Sequence, residues 1–214
     1  MARKHFLLGA VLIGLAGAAQ ATTISDPTGD YLTSYTGPHQ ADLDVTSLSV
    51  MFNASTDSFL LQSTMAGLID ATLPGFYVIG INTGTGTGPF GSIGAPDVLF
   101  NQAIAVQKNG TATIGATALA PGSVTIGGNA LSVVIPLSLL PSTGFDPAHY
   151  GFSIWPRSGT TGGLATISDF APDNATVAAA GAVPEPANWM MMLGGFGLIG
   201  SALRQRRGAQ VRFA

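Results

Sequence analysis

Four aspartates fall within nineteen residues near the start of the chain, in SDPTGDYLTSYTGPHQADLDVTSLSV: Asp26, Asp30, Asp42 and Asp44. Hard carboxylate oxygens grouped in turn-rich sequence are what calcium takes as ligands, and Asp spaced at i, i+2 or i, i+4 can converge on one ion. Calcium is therefore the cofactor to which this stretch points. The same residues support a second reading, because Asp-Pro and Gly-Asp are turn formers whose side chains cap their own backbone. Both readings predict the same local turns, and they differ only in whether the four carboxylates meet.

Other chemistry finds less material. Between residues 22 and 182 the imidazoles are His39 and His149. His39, beside Pro38, reads as an exposed loop residue, and His149, before Tyr150, as a strand start. The chain has no cysteine, no G-x-S-x-G elbow and no H-E-x-x-H pair. Glutamate, a common general acid, does not occur before Glu185. Gly86-x-Gly88-x-x-Gly91 fits the spacing of a dinucleotide fingerprint, but Pro89 follows and no helix N-terminus is in place to hold pyrophosphate. That stretch reads as a mobile surface loop. No catalytic residue is assigned, and the expected class is a non-enzyme. A hydrolase built on two aspartates that meet in space stays open as the alternative, since such pairs need no proximity in sequence.

The elements that must position these residues are strands. Charged residues make up only 9% of the 214-residue chain, against a usual share of roughly 25%. Glycine and proline are frequent, which favours short strands and turns over helices. DVTSLSVMF and DSFLLQSTMAG alternate apolar and polar residues in part, whereas GFYVIGIN is nearly continuous, as a central strand would be. DVLFNQAIAVQ, TATIGATAL, SVTIGG, ALSVVIP, YGFSIWP and GLATISDFAP complete a set of eight or nine expected strands. Asn109-Gly110 marks a hairpin between two of them, and LSLLPSTGFDP reads as one helical turn or a loop. Regular turn spacing predicts an all-β, antiparallel β-sandwich over residues 22–173. Residues 174–182, small and Ala-rich, read as a linker.

Charge is as uneven as hydropathy. Ten acids face only Lys108 and Arg157 between residues 22 and 173, so this stretch is formally −8 while the whole chain is −3. Phosphates need a basic surface, and nucleic acid is excluded as a partner. The remaining cations sit at the ends. Arg3 and Lys4 precede an apolar run from Phe6 to Ala16 and a small-x-small site at Ala19-Gln20-Ala21, the pattern of a removed signal peptide over residues 1–21. At the other end, Trp189 to Leu203 is apolar and is followed at once by Arg204, Arg206 and Arg207. About twenty residues are needed to cross a bilayer comfortably, so 189–203 makes a short helix that relies on its cationic stop and on an interfacial Trp189. This orientation leaves residues 208–214 in the cytoplasm and the strands outside.

Pro184, Glu185, Pro186, Trp189, Gly195, Phe196, Gly197 and the cluster Arg204, Arg206, Arg207 together resemble the PEP-CTERM sorting signal, here over 183–207. That signal belongs to exported proteins of Gram-negative bacteria that make exopolysaccharide. The resemblance implies recognition by a membrane-embedded exosortase, transient anchoring in the inner membrane, removal of the anchor, and transfer to the cell surface or biofilm matrix. Separately, Asp-Pro-x-Gly-Asp ahead of SLSV, then FYVIGINTG and VVIPLSLLP, is similar in order to the β-sandwich modules attached to glucodextranase and to DOMON-like domains. Those modules imply a surface role in binding sugars or haem-like ligands. No Met-His pairing supports haem here, and Trp155 is the indole that sugar stacking would use. The expected function is a structural or adhesive component with polysaccharide as its ligand; the alternative is a secreted hydrolase of matrix polysaccharide. Intact-mass measurement of surface-extracted protein should give a chain lacking both ends. Replacing Arg204, Arg206 and Arg207 with Glu should lower membrane retention of the precursor, and unchanged fractionation would refute the role given to these charges.

Overall fold

The structure, a computed structural model, describes residues 21–180 and Gly195. The expected signal peptide, the apolar run 189–203, the tail 208–214 and the sorting residues lie outside these, Ala21 and Gly195 apart. Among the described residues no helix is long and apolar enough to cross a membrane.

Eleven strands form two antiparallel sheets. They are β1 (Thr22–Ser25), β2 (Val45–Asn53), β3 (Ser58–Met65), β4 (Phe76–Asn82), β5 (Gln102–Gln107), β6 (Ala112–Ile114), β7 (Thr117–Ala118), β8 (Val124–Gly127), β9 (Ala130–Pro136), β10 (Gly151–Arg157) and β11 (Val177–Ala178). One sheet runs β1-β2-β3-β9-β8 and the other β11-β10-β4-β5-β6-β7. Inward side chains of both, among them Leu48, Val50, Phe59, Leu61, Ile79, Ile104, Val133 and Phe152, share one core. The predicted sandwich is therefore the fold. The five-stranded sheet keeps a solvated outer face, as its alternating burial shows. In the six-stranded sheet, β4 and β10 are buried on both faces, which is why GFYVIGIN reads as a continuous apolar run.

A second, smaller core covers the outside of the six-stranded sheet. Trp155 and Val78 pack there against Phe90, Ala95, Val98, Ile167 and Phe170. Phe90 and Ala95 come from the glycine-rich loop and Val98 from the turn after it, so that loop, exposed along most of its length, is anchored by buried side chains. Gly80 leaves room for the Trp155 ring, which an added Cβ would approach to 2.5 Å.

Two segments depart most from expectation. GLATISDFAP forms a 3-10 turn at Gly163–Thr166 and then touches β10 only at isolated bridges, Arg157↔Ile167 and Ile154↔Ala171. Four residues separate the bridge points on one side and three on the other, so a continuous ladder cannot keep register. Pro156, facing the same side as Ile154, also has no N–H to give. Conversely, the expected linker holds β11, paired with β10 at Gly151 and Phe152. Val177 and Ala179 are buried in the main core, so the domain runs on to Ala180. Two core-facing residues in an Ala-rich stretch leave no periodicity to read.

Asp42 and Lys108 form a buried ion pair, Nζ to Oδ2 2.6 Å, with side chains 2% and 3% exposed. Lys108 Nζ also donates to the Pro74 carbonyl, and the Tyr77 hydroxyl to the Asp42 carbonyl, 2.9 Å. Removing one partner of such a pair strands a buried charge, at a cost of about 3–5 kcal/mol, whereas replacing both with apolar residues costs far less. Urea unfolding should accordingly show Lys108→Met to be strongly destabilised and Asp42→Leu/Lys108→Met to recover at least half of that loss.

Candidate metal centre

The loop after β1 carries Asp26 and Asp30 across to the segment that follows β10. Backbone bonds hold it there: Leu32 N–H donates to Ser168 O, 2.8 Å, and Thr36 N–H to Ala165 O, 3.0 Å. Ser168 Oγ in turn donates to Leu43 O, 2.7 Å, which fixes this segment against the start of β2. Asp169 is buried between them. Its Oδ2 accepts from Val45 N–H, 2.8 Å, and its Oδ1 from Phe170 N–H, 2.7 Å. Four residues on, the chain brings the exposed Asp173 to the same place. One carboxylate oxygen from each of Asp26, Asp30, Asp169 and Asp173 lies within 4.8 Å of all the others.

Asp44, at the head of β2, adjoins this group. Its Oδ2 accepts from Gly29 N–H, 2.8 Å, inside the Asp26–Asp30 turn. Its Oδ1 is buried with no hydrogen-bond partner, as are Asp26 Oδ2 and Asp30 Oδ1. Three neighbouring carboxylate oxygens thus lose water without gaining a donor, an arrangement that costs free energy unless something else compensates.

The electrostatics follow from crowding and burial. Burial pushes Asp26 up to about 7, with Asp173, Asp30 and Asp44 adding to the shift. Asp169 is pushed up to about 8, again mainly by burial, with Asp26 and Asp30 contributing against the opposing Val45 and Phe170 N–H groups. Asp30 and Asp44 are raised as well, burial leading in each case. The neighbouring Tyr31 is held at about 12 by burial and by the negative charge of Asp44. Among the described residues no cation answers this charge. Lys108 is spent on Asp42, and Arg157 donates to Thr166 Oγ1 and Gly163 O.

Of the four aspartates that the sequence groups, the fold keeps Asp26 and Asp30 together and sets Asp44 beside them. Asp42 is corrected: its side chain turns to Lys108, because the 3-10 turn Ala41–Leu43 separates it from Asp44 and points it at the end of β5. Asp169 and Asp173 were missed. They lie more than 120 residues downstream, and the one local sign of them is a shared spacing, Asp-x-x-x-Asp with a proline inside, in DPTGD and in DFAPD. The two histidines stay apart from the group. His39 is exposed and stacks on Tyr31 at 4.2 Å, and His149 is exposed in a 3-10 turn before β10.

Residues 182–207 match the family model of the PEP-CTERM protein-sorting motif. The chain carries a PEP-CTERM sorting signal. It is thus an exosortase-sorted, exported protein, made as a membrane-anchored precursor that is later processed. Comparison with curated proteins and with solved structures returns no match.

Carboxyls whose folded pKa lies above the ordinary 3.8 hold extra protons in the folded state. Their stabilisation is complete below about pH 4 and is lost as pH rises through 7 to 8. In chelator, the melting temperature should therefore fall between pH 5 and pH 8, and Asp169→Asn should flatten the fall. A melting temperature that rises over this window would contradict the burial and crowding described here.

Proposed function

We propose that the sorted protein is a non-enzymatic, structural and adhesive component of the cell surface or exopolysaccharide matrix, and that it holds neutral polysaccharide on the outer face of the five-stranded sheet. One observation carries this reading. None of the five strands of that sheet contains a charged residue or a histidine, and two rows of outward side chains carry hydroxyls and amides in register, next to an apolar row of Met51, Leu60 and Val134. One row runs Thr23, Ser49, Gln62, Ser132, Thr125 across all five strands. The next joins Ser47 to Thr64, whose hydroxyls share a 2.6 Å hydrogen bond. Between β2, β3, β9 and β8 these rows line a trough of about 380 Å³.

Adjacent rows of hydroxyls, with strands spaced about 4.8 Å apart, offer repeated donors and acceptors to a polymer that is itself a row of hydroxyls. The absence of cations on this face, on a domain of formal charge −8, favours a neutral chain over an anionic one. Stacking on Trp155 drops out of the reading, because that ring is 3% exposed among Phe90, Phe100 and Phe170. Contacts made by hydroxyls alone are individually weak, which suits many copies bound along one polymer.

Binding of the full chain to neutral and uronic-acid-bearing polysaccharides tests this by affinity electrophoresis. Neutral polymers should retard the protein, and Gln62→Glu/Ser132→Glu, both on the solvated face, should weaken retardation at least tenfold. Equal retardation of the variant would remove the trough from the proposal. Accumulation of reducing ends during incubation would favour the hydrolase reading instead.

A further inference from the structure

We infer that Asp26, Asp30, Asp169 and Asp173, with Asp44 beside them, form a structural calcium site that staples the N-terminal loop to the segment leading out of β10. This does not rest on the polysaccharide reading, and it assigns a ligand set that joins both ends of the domain.

Three independent observations point to a cation here. First, four carboxylates from two distant segments converge, although like charges repel and nothing among the described residues neutralises them. Second, Asp44 is 3% exposed, is hydrogen-bonded at Oδ2 to the Asp26–Asp30 turn, and leaves Oδ1 buried and without a partner. Asp26 Oδ2 and Asp30 Oδ1 are left in the same condition. Third, the ligand chemistry selects the ion. Four carboxylate oxygens within 4.8 Å of one another suit calcium, which takes six to eight oxygen ligands at roughly 2.3–2.6 Å in flexible geometry, whereas magnesium keeps several of its waters and demands near-ideal octahedral geometry at about 2.1 Å. An all-carboxylate set is also unlike the nitrogen and sulfur ligands that zinc prefers.

The consequence is mechanical. β1 is four residues long and β11 only two. Asp26 follows β1 directly, while Asp173 lies just ahead of β11 and of the chain that continues to the sorting tail. An ion shared by the two would hold both short terminal strands in place in a cysteine-free domain, as a disulfide holds the ends of other exported proteins.

The test uses the full chain, purified in detergent, in 1 mM calcium, 1 mM magnesium or chelator. Calcium at about a hundred times its dissociation constant should raise the melting temperature by about 5–10 °C for a domain of this size. Magnesium should give less than half of that rise. Asp173→Asn, at an exposed position, and Asp44→Asn should each abolish most of the calcium increment. Asp42→Asn should lower the baseline and keep the increment. Terbium bound at the site and displaced by calcium provides a readout of occupancy separate from stability. Equal melting in calcium and chelator, an equal rise with magnesium, or a full increment in Asp173→Asn and Asp44→Asn would each overturn the site.

Discussion

At the centre of the six-stranded sheet, β4 and β10 present apolar side chains on both faces, and water is tolerated on neither. The main core covers one face. The other must be covered by whatever chain is at hand, and here that is the glycine-rich loop and the segment after Arg157, folded back over Trp155 and Val78. This return path has a consequence beyond packing. It lays Ser168 and Asp169 against the start of β2, and the N-terminal loop, anchored by Leu32 and Thr36, closes over them. The gathering of the carboxylates is thus a by-product of hiding the second face of β4 and β10.

Charge obeys a related constraint. Ten strands carry no ionisable acid or base other than tyrosine, and the eleventh, β10, carries Arg157 at its end. Every side-chain carboxylate among the described residues is therefore held on loops and turns. With two internal cations against ten acids, most of that charge can be tolerated only by exposure to water. Asp57, Asp97 and Asp146 follow this rule, and Asp42 is compensated by Lys108. The buried Asp44 and Asp169 have neither remedy. A domain that puts uncompensated carboxylates at the seam between its first and last strands makes that seam its electrostatic weak point.

The two sheets divide the labour. The six-stranded sheet is internal on both sides at β4 and β10 and builds the seam. The five-stranded sheet leaves one broad face to solvent, and that face is free of charge because its strands are. The hydroxyl rows there carry no charge to attract ions, and Val134 in the next row leaves an apolar side chain exposed. The sorting motif at 182–207 begins just past the last described residue of the domain, after β11 has been pinned to β10. Sorting and anchoring are thus written in a short contiguous stretch, and the folded domain is what that stretch delivers.

This contrast separates what was legible in the sequence from what was not. The two-faced burial of β4, the hairpin at Asn109-Gly110, the turn at Leu137–Leu139 and the sandwich itself follow from periodicity and turn chemistry, which act over a few residues. The sorting signal was legible for the same reason. The split of TATIGATAL at Gly115, the two-residue β11 and the broken pairing of residues 167–171 were not, because register mismatch and single buried side chains leave no period. Trp155 looked available for a ligand because an isolated indole carries no sign of which face of a sheet will be covered. In the candidate site, Asp26 and Asp30 could be paired by spacing, but Asp42 and Asp44, two residues apart, parted company at one turn. Asp169 and Asp173 entered from a segment whose position depends on the second core. Sequence by itself determined which residues would sit in turns and which in strands; tertiary structure alone decided which carboxylates share one space, because that depends on the path of a loop and not on any local preference.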